Sequence, residues 1–511
     1  MDSKQSKMNV LMLPWLAQGH ITPFLELAKK LTHKNFHIYL CSTPINLKSI
    51  KKRITDKYSL SIELVEIHLP TSPELPPHHH TTNGLPLHLN STLQEAFEMA
   101  SPDFSNILKT LSPDLVIHDF KPSSAQSIAS SYNIPAVQLM TAGAAVVSFG
   151  SHMFNHPDVE FPFPAIRLHE FQEKLFRQMV MDVARTAKEK QSTPVNNDQP
   201  PCNITLFNTF RELEGKYIDH LSVTGDKRVV PVGPLVQGIV DDEKEHSEII
   251  QWLENKGEYS TLFVSFGSEY FMSKEEIEEI AHGLEFSKVN FIWVVRFPEG
   301  EKVEVEAVLP KGFIDRVGVR GLMVEGWAPQ ARILAHSSTG GFVSHCGWNS
   351  MLESLFYGVP IVAIPIHFEQ PLNAKLVEEV GVAMEVNRDM NGRLNREEIA
   401  QVIRKVVVEK SGEDIRMKAR NFGEKIRRKG DEEIDEAVEV LMQLWSSKAP
   451  PPPRIRKRKK KRRKKKKKKG WTGGANINRA GQGAEAEAEA EAESGLRRLM
   501  ADKLGDELLS L

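Results

Sequence analysis

The sequence predicts an α/β protein made of two doubly wound parallel-sheet domains that face each other across a cleft. Two observations carry this. Short apolar, β-prone runs alternate with helical stretches at a spacing that implies a parallel sheet covered on both faces, and the alternation occurs twice, on either side of an acidic break at Val240–His246. A third sets the scale: 511 residues, 40% of them hydrophobic, supply more than one core.

Met8–Pro14 reads as the first strand, Trp15–His20 as the turn after it, and Thr22–His33 as an amphipathic helix. Phe36–Cys41 follows as a strand, Leu93–Leu111 as one helix, Asp114–Ile117 as a strand, Ser123–Tyr132 as a helix and Ala136–Met140 as a strand. Beyond an irregular stretch rich in Phe, Pro and His, Ile204–Asn208 is strand-like and Pro231–Pro234 marks a turn. The second alternation comprises strand Ser260–Phe266, helix Lys274–Phe286, strand Phe291–Arg296 and a short strand at Leu322–Val324. Two buried strands, Gly341–Ser344 and Val359–Pro365, flank a helix from Asn349 to Tyr357. The first domain therefore covers residues 1–239 and the second 247–430, and such sheets bind ligands at the carboxyl ends of their strands.

The net charge of −1 combines two unlike parts. Residues 450–511 hold 19 Lys/Arg and 8 Asp/Glu, in a basic run from Arg454 to Lys469 and an Ala-Glu repeat, so the body carries about −12. A mildly acidic body without a basic stripe gives no footprint for nucleic acid, and any such contact is left to this low-complexity tail, expected to be disordered. No apolar run reaches the roughly 20 residues needed to span a bilayer. Three cysteines, Cys41, Cys202 and Cys346, lack metal or redox spacing and point to a reducing, cytoplasmic setting. His78-His79-His80 is a weak metal candidate, because adjacent residues in an extended segment point apart; no metal is expected.

The chemistry concentrates between Trp327 and Gln370. Ser344-His345-Cys346-Gly347-Trp348-Asn349-Ser350 follows an apolar strand and opens a helix, where unpaired backbone N–H groups and the positive end of the helix dipole favour an anion. Gly347 lets the backbone come close to a phosphate, and His345, Asn349 and Ser350 add donors. Glu353 lies one turn further on the same face, placed to accept from ribose hydroxyls, and Trp327 offers a flat indole for a base. Of 18 histidines, only His20 and His345 occupy such strand-to-helix turns. A neutral histidine suits removal of a hydroxyl proton near pH 7 and would be oriented by a carboxylate on one ring nitrogen; Asp119, at the end of a later strand, is open to that role and to capping the helix that follows.

This 44-residue stretch resembles the secondary-product signature of the plant family-1 UDP-sugar-dependent glycosyltransferases, and the likeness extends over about residues 8–445. The resemblance implies a GT-B fold of two Rossmann-like domains, the first for the acceptor and the second for the UDP-sugar, with a terminal helix over about 431–446 packing back on the first. Carried over by position, Trp327 would stack on uracil, Ala328 would bond the base through its backbone, and Gln330 and Glu353 would hold the ribose. Ser268, His345, Asn349 and Ser350 would bind the diphosphate. Trp348, Glu369 and Gln370 would contact the sugar, with Thr141 near it; Glu369-Gln370 fits glucose best.

Leu69–Leu89 and Phe266–Phe271 resemble the branch-forming, glycoside-specific group. The expectation is inverting transfer of glucose from UDP-glucose, a co-substrate and not a resident cofactor, to a hydroxyl of a plant specialised-metabolite glycoside, 1→6 ahead of 1→2, by a monomer with His20 as base. The alternative is glucosylation of a flavonoid or terpenoid aglycone; behind it stands a non-catalytic UDP-sugar-binding or tail-mediated interaction protein.

Overall fold

The computed structural model describes residues 7–178, 180, 203–225, 227–239, 247–268, 270–297, 305–367, 369–389 and 391–448. The acidic break at 240–246 and the tail at 450–511 lie outside these residues.

Two all-parallel sheets form the frame. The first has seven strands: β1 (Met8–Leu13), β2 (Phe36–Ser42), β3 (Ile62–Glu66), β4 (Leu115–His118), β5 (Ala136–Met140), β6 (Ile204–Phe207) and β7 (Arg228–Pro231), in the order 3-2-1-4-5-6-7. The second has six: β8 (Thr261–Ser265), β9 (Asn290–Val295), β10 (Gly321–Glu325), β11 (Thr339–Ser344), β12 (Ile361–Ala363) and β13 (Ala383–Glu385), in the order 10-9-8-11-12-13. Both sheets reverse direction of winding beside their first strand, between β1 and β4 and between β8 and β11. Such switch points open a crevice at the carboxyl ends.

The strands are buried because helices cover both faces: every residue of β4, β8 and β11 is buried. The helix Gln18–Thr32 lays Ile21, Phe24, Leu25, Leu27, Ala28 and Leu31 on the first sheet, the stripe its spacing predicts. The last helix, Glu432–Lys448, buries Ile434, Ala437, Val440 and Leu441 in the same cluster as Val10 and Leu25, so the chain's end packs on the first sheet. The Trp445 indole N–H also donates to Asp114 Oδ1 at 3.2 Å. A cavity of 760 Å³ beside Trp445 and Asp114 lies at the amino ends of the strands, away from the crevice.

The expected single helix over Leu93–Leu111 is two, Asn90–Met99 and Ser101–Leu111. Pro102 in the first turn of the second has no N–H to continue the ladder, and the chain breaks at Ala100. Strands β3, β7 and β13 have no counterpart in the sequence reading, being short and at or near the sheet edges.

The two domains share one apolar seam. Trp348, Met351 and Leu352 from the second pack in a single cluster with Ala144, Phe149, Phe207 and Phe210 from the first.

Candidate active site

The strand-to-helix turns converge at the crevice. The helix Gln18–Thr32 follows β1 after the turn at residues 14–17, with no side-chain cap from Ala17, and His20 stands in its first turn, 14% exposed. Its Nδ1 lies 2.8 Å from Asp119 Oδ2 and 2.8 Å from Thr141 Oγ1, from the ends of β4 and β5. Asp119 is 1% exposed and also accepts from two amides, Trp15 N to Oδ2 at 3.1 Å and Phe120 N to Oδ1 at 2.8 Å. An ionised carboxylate only accepts, so the hydrogen between the two side chains belongs to His20 Nδ1, and Thr141 Oγ1 accepts a share of it. In neutral imidazole that leaves Nε2 as the basic nitrogen. Asp119 is thus bonded to the imidazole and does not cap the following helix, which starts at Ala125 after Ser124.

Across the seam, the helix Trp348–Tyr357 begins after β11 with Gly347 at its N-cap position and, among the described residues, no side-chain capping bond. His345 lies between two glycines: a Cβ on Gly267 would come 2.8 Å from its Nε2, and one on Gly347 closer still. Burial, helped by His367, lowers the His345 pKa to about 4, so the ring is neutral at pH 7. Its Nδ1 is buried without a hydrogen bond of good geometry among the described residues, while the Ser265 backbone beside the ring works against the lowering. Ser268 follows Gly267 at the end of β8, on the same side.

Gln330 Nε2 donates to Glu353 Oε2 at 2.6 Å and to Ser350 Oγ at 3.3 Å, so the three polar side chains form one cluster. Burial raises the Glu353 pKa to about 7, against the bond from Gln330. Trp327 is 57% exposed, the Arg296 guanidinium over its ring at 5.1 Å from the centroid. Ala328 is buried, its carbonyl accepting from the Gln330 amide at 2.8 Å.

Two expected sugar contacts are arranged differently. The Trp348 indole is 4% exposed and turned into the seam, donating to the Asn208 carbonyl at 2.8 Å, so only its main chain is left for the crevice. The Gln370 amide folds back on its own turn: Oε1 accepts from Ile366 N at 3.1 Å and His367 N at 3.2 Å. Glu369 precedes the helix that Gln370 begins, without a side-chain capping bond.

The two halves touch directly, through Asn349 Nδ2 donating to the carbonyl of Gly19, the residue before His20. Asn208 and Glu214, to which sequence reasoning assigned no site role, build the seam beside this contact. Glu214 is fully buried, accepts from the Ala144 and Ala145 amides at 2.8 and 2.7 Å, and has its pKa raised by burial to about 7. After the turn Pro77–His79, the His80 carbonyl accepts from Thr43 Oγ1 at 2.8 Å, and Thr82 N donates to Leu16 O, in the turn after β1, at 3.0 Å. Among the described residues no group of three His, Cys, Asp or Glu is placed to hold a metal, and no helix is long and apolar enough to cross a membrane.

Comparison with known proteins gives consistent matches. Residues 226–422 match the family model of UDP-glucoronosyl and UDP-glucosyl transferases, and residues 6–237 that of the glycosyltransferase N-terminal domain. The chain is 54% identical over 455 residues to UDP-glucosyltransferase 29 of Panax ginseng, covering 88% of this chain and 99% of that protein. It is 52% identical over 435 residues to beta-D-glucosyl crocetin beta-1,6-glucosyltransferase of Gardenia jasminoides, covering 85% and 98%. Among solved structures, UGT2 of Phytolacca americana complexed with UDP-2fluoro-glucose and pterostilbene is similar at a TM-score of 0.66 and 27% identity, covering 86% of this chain and all of that one.

Proposed function

The chain belongs to the UDP-glucoronosyl and UDP-glucosyl transferase family and is a GT-B UDP-sugar-dependent glycosyltransferase; on that premise we propose that it extends plant specialised-metabolite glycosides by transferring glucose from UDP-glucose to a hydroxyl of the attached sugar. The preferred linkage is 1→6, then 1→2. A relative 52% identical is named for a β-1,6 transfer onto a glucosyl crocetin, which supports a glycoside acceptor. UDP-glucose is the co-substrate, with no further cofactor and no metal. The enzyme acts as a monomer; its setting is the cytoplasm, which the buried free thiols of Cys41 and Cys346 support.

The observation that carries the mechanism is the contact between the His20 loop and the Asn349 turn. It supports a donor whose diphosphate rests on the Trp348–Tyr357 helix N-terminus while its C1 faces the imidazole. In our reading Trp327 stacks on the uracil, Gln330 and Glu353 bind the ribose, and Ser268, His345, Asn349 and Ser350 hold the diphosphate. His20 Nε2 takes the acceptor's hydroxyl proton as the oxygen attacks C1 from the face opposite the diphosphate. The new C1–O bond forms as the bond to UDP breaks, inverting the anomeric centre. Asp119 stabilises the resulting imidazolium, and the helix amides and the neutral His345 donate to the departing UDP.

Turnover of UDP-glucose with matched glucosides and aglycones, followed by NMR of the product linkage, tests this reading. Glucosides should react and give a β-linked disaccharide. Reaction of aglycones alone would overturn the chain-extending assignment.

A further inference from the structure

Two carboxamides in series cross the seam, and their polarity is set at both ends. At one end the Leu235 amide, which can only donate, gives its hydrogen to Asn208 Oδ1 at 2.9 Å. Asn208 Nδ2 is thereby left to donate to Asn349 Oδ1, at 3.2 Å. That turns Asn349 Nδ2 to the Gly19 carbonyl, which can only accept. Flipping either amide would set donor against donor or acceptor against acceptor. Asn208 is itself immobile: it is fully buried at the end of β6, its amide donates to Met140 O at 2.9 Å, and its carbonyl takes the Trp348 indole.

We propose that Asn208 is a positioning residue for transfer. By fixing which way the Asn349 amide faces, it ties the turn that receives the donor diphosphate to the loop that carries His20. Asn349 Nδ2 has a second hydrogen, so it can offer one to a phosphate oxygen while keeping the other on Gly19. The relay needs a carboxamide at 208: aspartate accepts from Leu235 but has nothing to donate to Asn349, and serine is too short to reach both. This inference rests on the reading of His20 as base and of Asn349 as part of the donor site, and its test separates the two.

The variants are Asn208→Asp, Asn208→Ser, Asn349→Ala, the double Asn208→Asp/Asn349→Ala, and His20→Ala. Each is assayed with UDP-glucose and a panel of flavonoid and terpenoid glucosides, alongside its melting temperature and its UDP affinity by calorimetry. Asn208→Asp should lower kcat about tenfold or more while KM for UDP-glucose stays within about threefold, and the double variant should be no slower than Asn349→Ala, because groups acting as a unit are not additive. Unchanged kcat in Asn208→Asp, losses that multiply in the double variant, or a kcat loss matched by the loss of folded protein would each overturn the relay. If Asn208→Asp does not fold, Asn208→Ser decides by the same split of kcat from KM. Turnover retained in His20→Ala overturns the base assignment; an inactive His20→Ala beside a wild-type-like Asn208→Asp overturns the relay alone.

Discussion

His20 Nδ1 stands 2.8 Å from Asp119 Oδ2, and the carboxylate is held in place by the amides of Trp15 and Phe120. Three N–H donors on two oxygens leave the carboxylate no rotation that keeps all of them. In Asp119→Asn one oxygen becomes an NH2 group facing a donor, and the ring loses the partner that fixes its tautomer. We expect kcat to fall by about 10²–10⁴, with UDP affinity within about twofold of wild type by calorimetry. A kcat within a factor of three would show that the pair is structural.

The seam should be intolerant of a single methyl group at Gly143. A Cβ there would lie 2.6 Å from Trp348 Cζ3 and 2.8 Å from Glu214 Oε1, and neither can retreat: Trp348 is bonded to Asn208 and Glu214 to two amides. Gly143→Ala should cost about 1–3 kcal/mol in urea unfolding. A variant as stable as wild type would mean the indole is free to move.

Donor binding should depend on pH through Glu353, whose pKa burial raises to about 7. In the proposed nucleotide site the ionised carboxylate would accept from both ribose hydroxyls, whereas the acid would give up one acceptor. UDP affinity should therefore weaken as pH falls from 8 to 6. UDP ionises in the same range, so the informative comparison is Glu353→Gln, which should bind about tenfold more weakly at pH 8 and show a shallower pH dependence. Parallel curves for the two proteins would remove Glu353 from the nucleotide site.

Glu214 makes a different prediction, for stability. Its pKa is raised from 4.5 to about 7, so the native state holds a proton that the unfolded chain releases, and folding loses stability as pH rises between those values. The folded protein should weaken relative to Glu214→Gln by on the order of 1–3 kcal/mol between pH 5 and pH 8, in denaturant unfolding of both. A constant difference across that range would show that the carboxyl is ionised throughout.

The readability of the site follows from how local each part is. The turn His345–Ser350 was legible because strand, glycine and helix start lie within a few residues, and the backbone alone makes that place receptive to an anion. His20 and Asp119 were legible as residues at the ends of strands in a doubly wound sheet. Asn208 and Glu214 were not: their partners, Asn349 and Ala144, stand 141 and 70 positions away, and nothing near them in the chain marks the contact. The break at Ala100 could have been read from Pro102, whereas the three-residue strand β13 carries too little pattern to separate it from a loop.

By itself the sequence determined the two alternations of strand and helix, and hence that the polar turns gather at the carboxyl ends of two parallel sheets, since period and turn chemistry act over short range. It also supplied the residue types that chemistry at such a crevice requires. Only the tertiary structure decided which way those side chains face: the Trp348 ring into the seam, the Gln370 amide back on its own turn, Asn349 onto Gly19. It likewise decided that burial keeps His345 neutral and raises the Glu353 pKa to about 7. Orientation and ionisation depend on which distant groups supply hydrogen bonds and exclude water, and those neighbours exist only once the chain has folded.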